Sequence, residues 1–303
     1  CVRVGDEQTN IRLSRELRPR ISELSVGPLS YEVVEPYRRI RIAMGENDQG
    51  LSYDLEFLGR LTPGEEQPQY GRMNGRVVVN TARYAQLGRA RGWIQVGDRR
   101  FDVDEDRYYA QRDHSWGIRM GVGAPEQGVQ GQDIDPFRAM MITWLTFQFA
   151  EWGVQCYAIE RADGIMMNMS GAKVHRLGDG VGTSGPAIIG IEHDLFYHPK
   201  SARFQGGSMV LRLQGGEAIE LSMEELTTMY LRGGGYLGYK GVTHGLWKGS
   251  EWADGETWNV GDAVVANEVH GLDDTIVKVR CGDEVGYGII ENLILPPFPR
   301  YGF

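Results

Sequence analysis

Short runs of β-branched and aromatic residues recur along the chain and are separated by glycine, aspartate and asparagine. Such runs are typical of antiparallel strands joined by turns, and signals for helices are scarce. One helix is predicted at residues 222–231, and a helical turn is predicted at residues 135–138. The chain is therefore expected to fold as an all-β protein. The predicted strands are residues 31–34, 39–44, 51–58, 75–79, 90–96, 108–119, 142–149, 154–160, 208–213, 263–269, 275–281 and 287–293.

A stretch of small residues at positions 177–186 interrupts the strand pattern near the middle of the chain. It contains little that could pack in a core, as is usual for a linker. A chain of 303 residues is long enough for two ordinary domains. We therefore predict one domain at residues 1–185 and a second at residues 186–303.

The formal net charge of -9 comes from acidic residues that are spread along the chain. An excess of negative charge disfavours binding to nucleic acid phosphates and to anionic membranes. No apolar run approaches the roughly 20 residues that span a bilayer, and the first residues do not resemble a signal peptide. The cysteines, Cys1, Cys156 and Cys281, are far apart, which suggests reduced thiols. We therefore expect a soluble cytoplasmic protein with no nucleic acid partner and no membrane span.

Neither a metal site nor a nucleotide site is predicted. His193 and His198 are five residues apart, so on a strand they point to opposite faces. Residues 180–185 match the Gly-x-Gly-x-x-Gly spacing of dinucleotide-binding loops, but Pro186 and Ile188 follow where that motif needs a helix. The sequence therefore predicts no cofactor.

The densest group of reactive side chains lies in residues 107–119. In a strand, alternation divides these side chains between two faces. Two interpretations remain open: one face could form a pocket, or Trp116 could be a core residue and His114 a buried histidine with satisfied hydrogen bonds. One face carries Tyr108, Arg112, His114, Trp116 and Ile118, and the other carries Arg107, Tyr109, Gln111, Asp113 and Arg119.

The sequence Arg-Asp-His-Ser-Trp-Gly-Ile-Arg at residues 112–119, with residues 71–77 and 102–107 before it, resembles the carotenoid 1,2-hydratase and AttH-like group. That group also looks related to the lipocalin-like pericyclases of polyketide biosynthesis. The resemblance implies two lipocalin-like (calycin-type) antiparallel barrels or sandwiches packed together, with an apolar cavity in or between them. It also implies chemistry that adds water to, rearranges or cyclises an unsaturated substrate. The family motif transfers to Asp113, His114, Trp116 and Arg119.

Carotenoid hydratases carry a tyrosine and an aspartate on a later strand, whereas residues 142–149 of this chain contain neither. The sequence therefore favours a broader function, that of a hydratase, isomerase or cyclase acting without a cofactor on a terpenoid or polyketide-like molecule. Protonation of an alkene needs an acid in an apolar setting rich in π systems. Asp113 and His114 are the candidate proton donors, and the choice between them stays open. The candidate substrate-binding residues are Tyr109, Trp116, Arg119, Trp144 and Phe147.

Two other functions fit the sequence. A lipocalin-like chain can bind a hydrophobic ligand without catalysis. Alternatively, Trp247, Trp252 and Trp258, interspersed with acidic residues and glycine, could form a carbohydrate-binding surface. The expected partner of the first two functions is a small apolar molecule, and the sequence leaves open whether the chain forms a homodimer.

Overall fold

The computed structural model describes residues 1–16, 21–73, 75–119, 121–123, 138–178, 184–199 and 201–303. The helical turn predicted at residues 135–138 begins outside these ranges. None of the described helices has the length and apolar character needed to cross a membrane. The described helices are α1 (Ala263–Val269) and two 3-10 helices, Leu231–Gly234 and Pro299–Tyr301. The strands are β1 (Val2–Val4), β2 (Glu7–Leu13), β3 (Leu29–Glu35), β4 (Arg39–Met44), β5 (Leu51–Gly59), β6 (Gly64–Glu65), β7 (Gln69–Met73), β8 (Arg76–Val96), β9 (Arg99–Val103), β10 (Tyr109–Ile118), β11 (Met140–Gln148), β12 (Trp152–Arg161), β13 (Met166–His175), β14 (Ile188–Tyr197), β15 (Phe204–Leu213), β16 (Ala218–Tyr230), β17 (Ala253–Asn259), β18 (Asp273–Cys281) and β19 (Glu284–Leu295).

The described strands form three antiparallel sheets. The small sheet has the order β1-β2-β17. The N-terminal sheet follows the path β10-β8-β5-β4-β3, and β6, β7 and β9 also pair with β8. The barrel sheet has the order β13-β12-β11-β19-β18-β16-β15-β14. The all-β fold predicted from the sequence is confirmed.

β16 occupies the segment where the sequence predicts a helix at residues 222–231. Buried Leu221 and Met223 alternate with exposed Ser222 and Glu224. This period of two is the pattern of a strand with one face in a core, so the helix prediction is wrong. Pairing with β15 on one side and β18 on the other outweighs the local helix propensity.

α1 occupies the segment where the sequence predicts a strand at residues 263–269. The Asp262 side chain accepts a hydrogen bond from the backbone N–H of Val264 and caps the first turn. Ala266 and Val269 are the buried side chains of this helix. Their spacing of three places both on one helical face, so the strand prediction is wrong.

The N-terminal sheet is strongly curled. β10 and β3 are the two ends of its five-strand path, and a flat sheet would hold them about 19 Å apart. However, Nε of Arg112 in β10 donates a hydrogen bond of 3.0 Å to the hydroxyl oxygen of Tyr31 in β3. The side of the sheet that carries these two residues is therefore concave, and we call it the inner face.

The barrel sheet is nearly closed, because its edge strands β13 and β14 meet at a bridge between Ala172 and Ala187. This antiparallel barrel fits the lipocalin-like fold that the resemblance implies. Its interior is packed with apolar side chains such as Phe147, which has no exposed surface. A cavity of about 10 Å³ beside His193 has room for one water molecule at most. That cavity is far too small for the organic ligand expected inside a barrel.

The barrel sheet contains strands from both sides of the domain division predicted at residue 185. β11, β12 and β13 precede that position, and β11 pairs with β19, which follows it. The predicted division therefore falls within a sheet. The change from the N-terminal sheet to the barrel sheet lies between Ile118 and Met140.

The small sheet joins distant parts of the chain, since β2 pairs with β17. Arg12 of β2, with 5% of its side chain exposed, lies 2.7 Å from Asp254 and 2.7 Å from Glu256, both in β17. It also donates a hydrogen bond to the carbonyl of Gly233. A buried guanidinium thus connects the two strands through their side chains.

The N-terminal sheet packs on the outer face of the barrel sheet. Leu61, Leu87 and Val174 form an apolar cluster between the two sheets. Nearby, a Cβ atom on Gly64 would lie 2.5 Å from the side chain of Gln155, which donates a hydrogen bond to the Gly64 carbonyl. Glycine at this position therefore allows β6 to lie directly on the barrel.

Candidate functional site

The two faces of β11 lead to different environments. Trp144 lies on the outer face, where its indole N–H donates a hydrogen bond of 2.9 Å to Glu66, the residue after β6. Phe147 belongs to the barrel core. Side chains three residues apart on a strand point in opposite directions. The structure therefore does not bring Phe147 to the surface that Trp144 lines.

β10 also separates the residues predicted for one site. Its pairing with β8 has no register shift, so Asp113 faces the barrel sheet while His114 and Trp116 lie on the inner face. Trp116 is 55% exposed, and His114 is exposed as well. Partial burial and the nearby guanidinium of Arg112 lower the pKa of His114. Asp113 and His114 are thus on opposite sides of one strand.

A pair of carboxyl groups lies on the outer face of the barrel sheet. Glu291 of β19 is directly opposite Asp274 of β18 and, on its other side, Trp144 of β11. Burial, and after it the adjacent carboxyl group of Asp274, raise the pKa of Glu291 well above its ordinary range. Burial also raises the pKa of Asp274, to about 6. Because two adjacent carboxylates repel each other, protonation of one member of the pair is favoured.

A second acidic group faces this pair from the N-terminal sheet. Arg83 of β8 lies 3.6 Å from Glu66 and 3.6 Å from Asp113. Burial raises the pKa of Glu66, although the charge of Arg83 opposes that shift. Asp113 is more open, with 40% of its side chain exposed. The Arg83 guanidinium also lies over the ring of Tyr157, 5.6 Å from its centroid.

These side chains form one arrangement between the two sheets. Arg83 and Asp113 are close enough to Glu291 to influence its pKa in opposite directions. Three carboxyl groups, a guanidinium and aromatic rings therefore lie close to the pair's Glu291 between the two sheets. We call this cluster of side chains the acid cleft, and it consists of Glu66, Arg83, Asp113, Trp144, Tyr157, Asp274 and Glu291.

The remaining predicted site residues, Arg119 and Tyr109, lie at or beyond the two ends of β10. Arg119 lies over the ring of Tyr236, 5.6 Å from its centroid, and is close enough to Tyr157 to influence its pKa. Tyr109 packs against Tyr287 with ring centroids 4.9 Å apart. It is four residues from Asp113, which is about 13 Å along a strand. Arg119 therefore borders the acid cleft, whereas Tyr109 lies away from it.

Glu66, Asp274 and Glu291 were not among the site residues predicted from the sequence. A signal for Glu291 does exist, because it lies between Ile289 and Leu293 on the outer face of an apolar strand. An acid within an apolar strand indicates a special environment, since burial of an unpaired charge is costly. Glu66 has no comparable signal, because it follows a strand of only two residues.

The histidines considered as metal ligands have separate partners. Nε2 of His193 lies 2.6 Å from Glu160, and Nε2 of His198 lies 2.5 Å from Glu225. In the part of the chain that the structure describes, no group of histidine, cysteine, aspartate and glutamate side chains is arranged to hold a metal ion. These histidines are therefore parts of two independent ion pairs or hydrogen bonds.

Three solved structures resemble this chain over most of its length at low similarity. Kievitone hydratase from Nectria haematococca is 10% identical, with 89% of this chain and 69% of its own chain covered and a TM-score of 0.42. A putative AttH from Nitrosomonas europaea is 14% identical, with 90% and 72% covered and a TM-score of 0.46. CghA with Sch210972 is 8% identical, with 88% and 73% covered and a TM-score of 0.43.

No curated protein matches the sequence. A family model does match it, and its description is a family of unknown function (DUF8625). The match extends over residues 1–303, which is every residue of the chain. The protein therefore belongs to the family DUF8625.

Proposed function

We propose that the protein is an enzyme that protonates an apolar, unsaturated small molecule in the acid cleft. The outcome is hydration, isomerisation or cyclisation of a terpenoid or polyketide-like molecule, without a cofactor. The observation that carries this proposal is the pair of adjacent carboxyl groups, Asp274 and Glu291, with Glu291 directly opposite Trp144. The proposal assigns proton transfer to this pair and not to His114, because His114 lies on the other side of β10.

The chemical demand on the acid supports this assignment. A general acid must still hold its proton at the working pH, and its pKa is best placed near that pH. Burial and the neighbouring carboxyl group raise the pKa of Glu291, which keeps its proton available. Asp113 lies 3.6 Å from the guanidinium of Arg83 and is more exposed than the carboxyl pair. The proposal therefore assigns Asp113 the role of accepting a proton from water.

The surroundings of the carboxyl pair suit an apolar substrate. Partly exposed aliphatic side chains lie on the same face of β11, β18 and β19 as the pair, two positions along each strand from Trp144, Asp274 or Glu291. A hydrocarbon could contact them without displacing the barrel core. These side chains are Ile142, Ile276, Ile289 and Leu293.

In the proposed step, the π electrons of an alkene form a C–H bond with the proton of Glu291, and the negative charge stays on the carboxyl pair. The π faces of Trp144 and Tyr157 stabilise the resulting cation by about 0.5–2 kcal/mol each. Water adds to the cation and loses a proton to Asp113, which gives hydration. Loss of a neighbouring carbon-bound proton to Asp113 gives isomerisation. Attack by a second double bond closes a ring and moves the positive charge to another carbon, which then loses a proton to Asp113 or adds water.

The test is the transfer of deuterium from D2O to carbon in isoprenoid alkenes such as geraniol and in conjugated polyketide-like enones, followed by mass spectrometry. The wild-type protein should incorporate deuterium, and Glu291→Gln should lower the rate by about 10²–10⁴-fold. Asp283→Asn, which removes an exposed carboxyl group from the turn before β19, is the matched control and should retain the wild-type rate. A Glu291→Gln variant with the wild-type rate would contradict the proposal, as would a wild-type protein that labels none of these compounds.

The same experiment separates the alternatives. Binding of these compounds without incorporation of deuterium would favour a non-catalytic binding protein. The carbohydrate-binding alternative has little support, because Trp258 is buried and packs against Tyr239 with ring centroids 5.1 Å apart. It therefore cannot share an exposed surface with Trp247.

A further inference from the structure

The inner face of the N-terminal sheet carries a second polar group, on the side of β10 opposite the acid cleft. Nε of Arg112 donates a hydrogen bond of 3.0 Å to the hydroxyl oxygen of Tyr31, and Nη1 donates one to the hydroxyl oxygen of Tyr84. Nη2 of Arg112 lies 3.2 Å from Nδ1 of His114. The guanidinium is thus held in a fixed orientation by its neighbours from three strands.

The charge of Arg112 has no partner of opposite sign within the described ranges. Arg83, on the other side of the sheet, pairs with two carboxylates. The three partners of Arg112 are instead two tyrosine hydroxyl groups and a histidine whose pKa is lowered. A partly buried guanidinium that is positioned but not neutralised is a binding site for an anion.

The concave surface beside Arg112 is apolar. Tyr31 is opposite Ile42, and Ile42 is opposite Leu55, so this side of the sheet carries a continuous row of apolar side chains. All of them are half-buried, which leaves apolar surface open within the curl of the sheet. The side chains on this surface are Tyr31, Ile42, Tyr53, Leu55, Phe57 and Ile94.

We propose that the inner face binds an amphipathic carboxylate. Its carboxylate group pairs with Arg112, and its apolar chain or ring lies along the concave surface. A planar guanidinium matches the two oxygens of a carboxylate, and burial of the apolar part adds affinity. Trp116, which is exposed, packs against His114 with ring centroids 5.5 Å apart. This site is separate from the acid cleft and does not depend on the function proposed there.

The experiment is isothermal titration calorimetry of the full chain with decanoate and with 1-decanol. Decanoate should bind wild-type protein with a Kd below about 1 mM. Arg112→Met should weaken decanoate binding by about tenfold or more and leave decanol binding unchanged. Arg41→Met is the matched control, because Arg41 pairs with Asp54 on the outer side of the same sheet. It should leave decanoate binding unchanged, and so should Glu291→Gln.

A measurement on wild-type protein keeps the proposal testable if Arg112→Met does not fold. Saturating decanoate should shift the ring resonances of His114 in the nuclear magnetic resonance spectrum and leave those of His193 unchanged. Absence of decanoate binding, equal binding to Arg112→Met, or an unshifted His114 resonance would each overturn the proposal.

Discussion

Glu291 lies directly opposite Asp274 on the neighbouring strand, so two carboxyl groups are placed side by side on the outer face of the barrel sheet. In water, both groups would be ionised near neutral pH. In the acid cleft, burial disfavours the charged forms and each carboxylate repels the other. The two groups therefore titrate as a unit, and their protonation links the stability of the protein to pH.

Glu291→Gln is expected to make the protein less sensitive to rising pH. A raised pKa in the folded state means that, above about pH 4.3, the folded protein binds more protons than the unfolded chain. The contribution of protonated Glu291 to the free energy of unfolding of the wild type is therefore fully present below that pH. It is lost as pH rises through the folded-state pKa. As pH rises from about 5 to 7, the free energy of unfolding of the variant should therefore fall less steeply than that of the wild type. Urea denaturation measures this difference, and Asp283→Asn should show none of it.

Trp144→Phe is expected to lower the free energy of unfolding by about 1–3 kcal/mol. The indole N–H is a hydrogen-bond donor to buried Glu66, whose Oε2 atom has no hydrogen-bond partner among the described residues. Trp152→Phe is the matched control, since Trp152 donates to the exposed carboxylate of Glu284 and should change stability by less than about 1 kcal/mol. If chemical denaturation showed equal losses of stability for the two variants, the hydrogen bond to buried Glu66 would contribute no more than the hydrogen bond to exposed Glu284.

Phe147→Ala is expected to destabilise the protein by about 3–5 kcal/mol, because it opens a cavity in the barrel core. Phe147→Leu keeps most of the side-chain volume and should cost less than about 1.5 kcal/mol. Chemical denaturation of both variants measures the difference. A Phe147→Ala variant that loses ligand binding at unchanged stability would instead support the substrate-binding role predicted from the sequence.

Glu256→Gln is expected to destabilise the protein more than Asp254→Asn. Glu256 accepts hydrogen bonds from both terminal nitrogens of Arg12, at 2.7 and 2.9 Å, and 23% of its side chain is exposed, compared with 46% for Asp254. Removal of the more buried partner leaves the Arg12 charge less compensated. We expect losses of about 1–3 kcal/mol for Glu256→Gln and less than about 1 kcal/mol for Asp254→Asn in thermal denaturation. The reverse order would contradict this account.

The local pattern of apolar and polar residues was sufficient to predict many of the strands. The predicted strand at residues 142–149 corresponds to β11, because its side chains alternate between the barrel interior and the opposite face. The same reasoning failed at residues 222–231, where glutamate, leucine and methionine favour a helix in isolation. Pairing with two neighbouring strands decides that segment, and no short window of sequence contains this information.

The candidate site was less accessible to sequence reasoning. Alternation in β10 correctly assigns Asp113 and His114 to opposite faces, since the pairing of β10 with β8 is regular. The residues that each face of β10 contacts depend on the curl of the N-terminal sheet and on the packing of that sheet against the barrel sheet. Glu66 and Glu291 come from distant parts of the chain and meet only after both sheets have formed. The motif at residues 112–119 therefore identifies the strand that passes the acid cleft but not the acid within it.

The pairing of β2 with β17 has a consequence for the order of folding. Thr9 and Thr257, whose hydroxyl groups form a hydrogen bond of 3.0 Å, are 248 positions apart. Contacts of such separation carry a large loop-closure entropy and form slowly. During synthesis, β2 has only β1 as a partner in its sheet until β17 has left the ribosome. The small sheet is thus expected to form last, and the burial of Trp258 in β17 reports the end of folding.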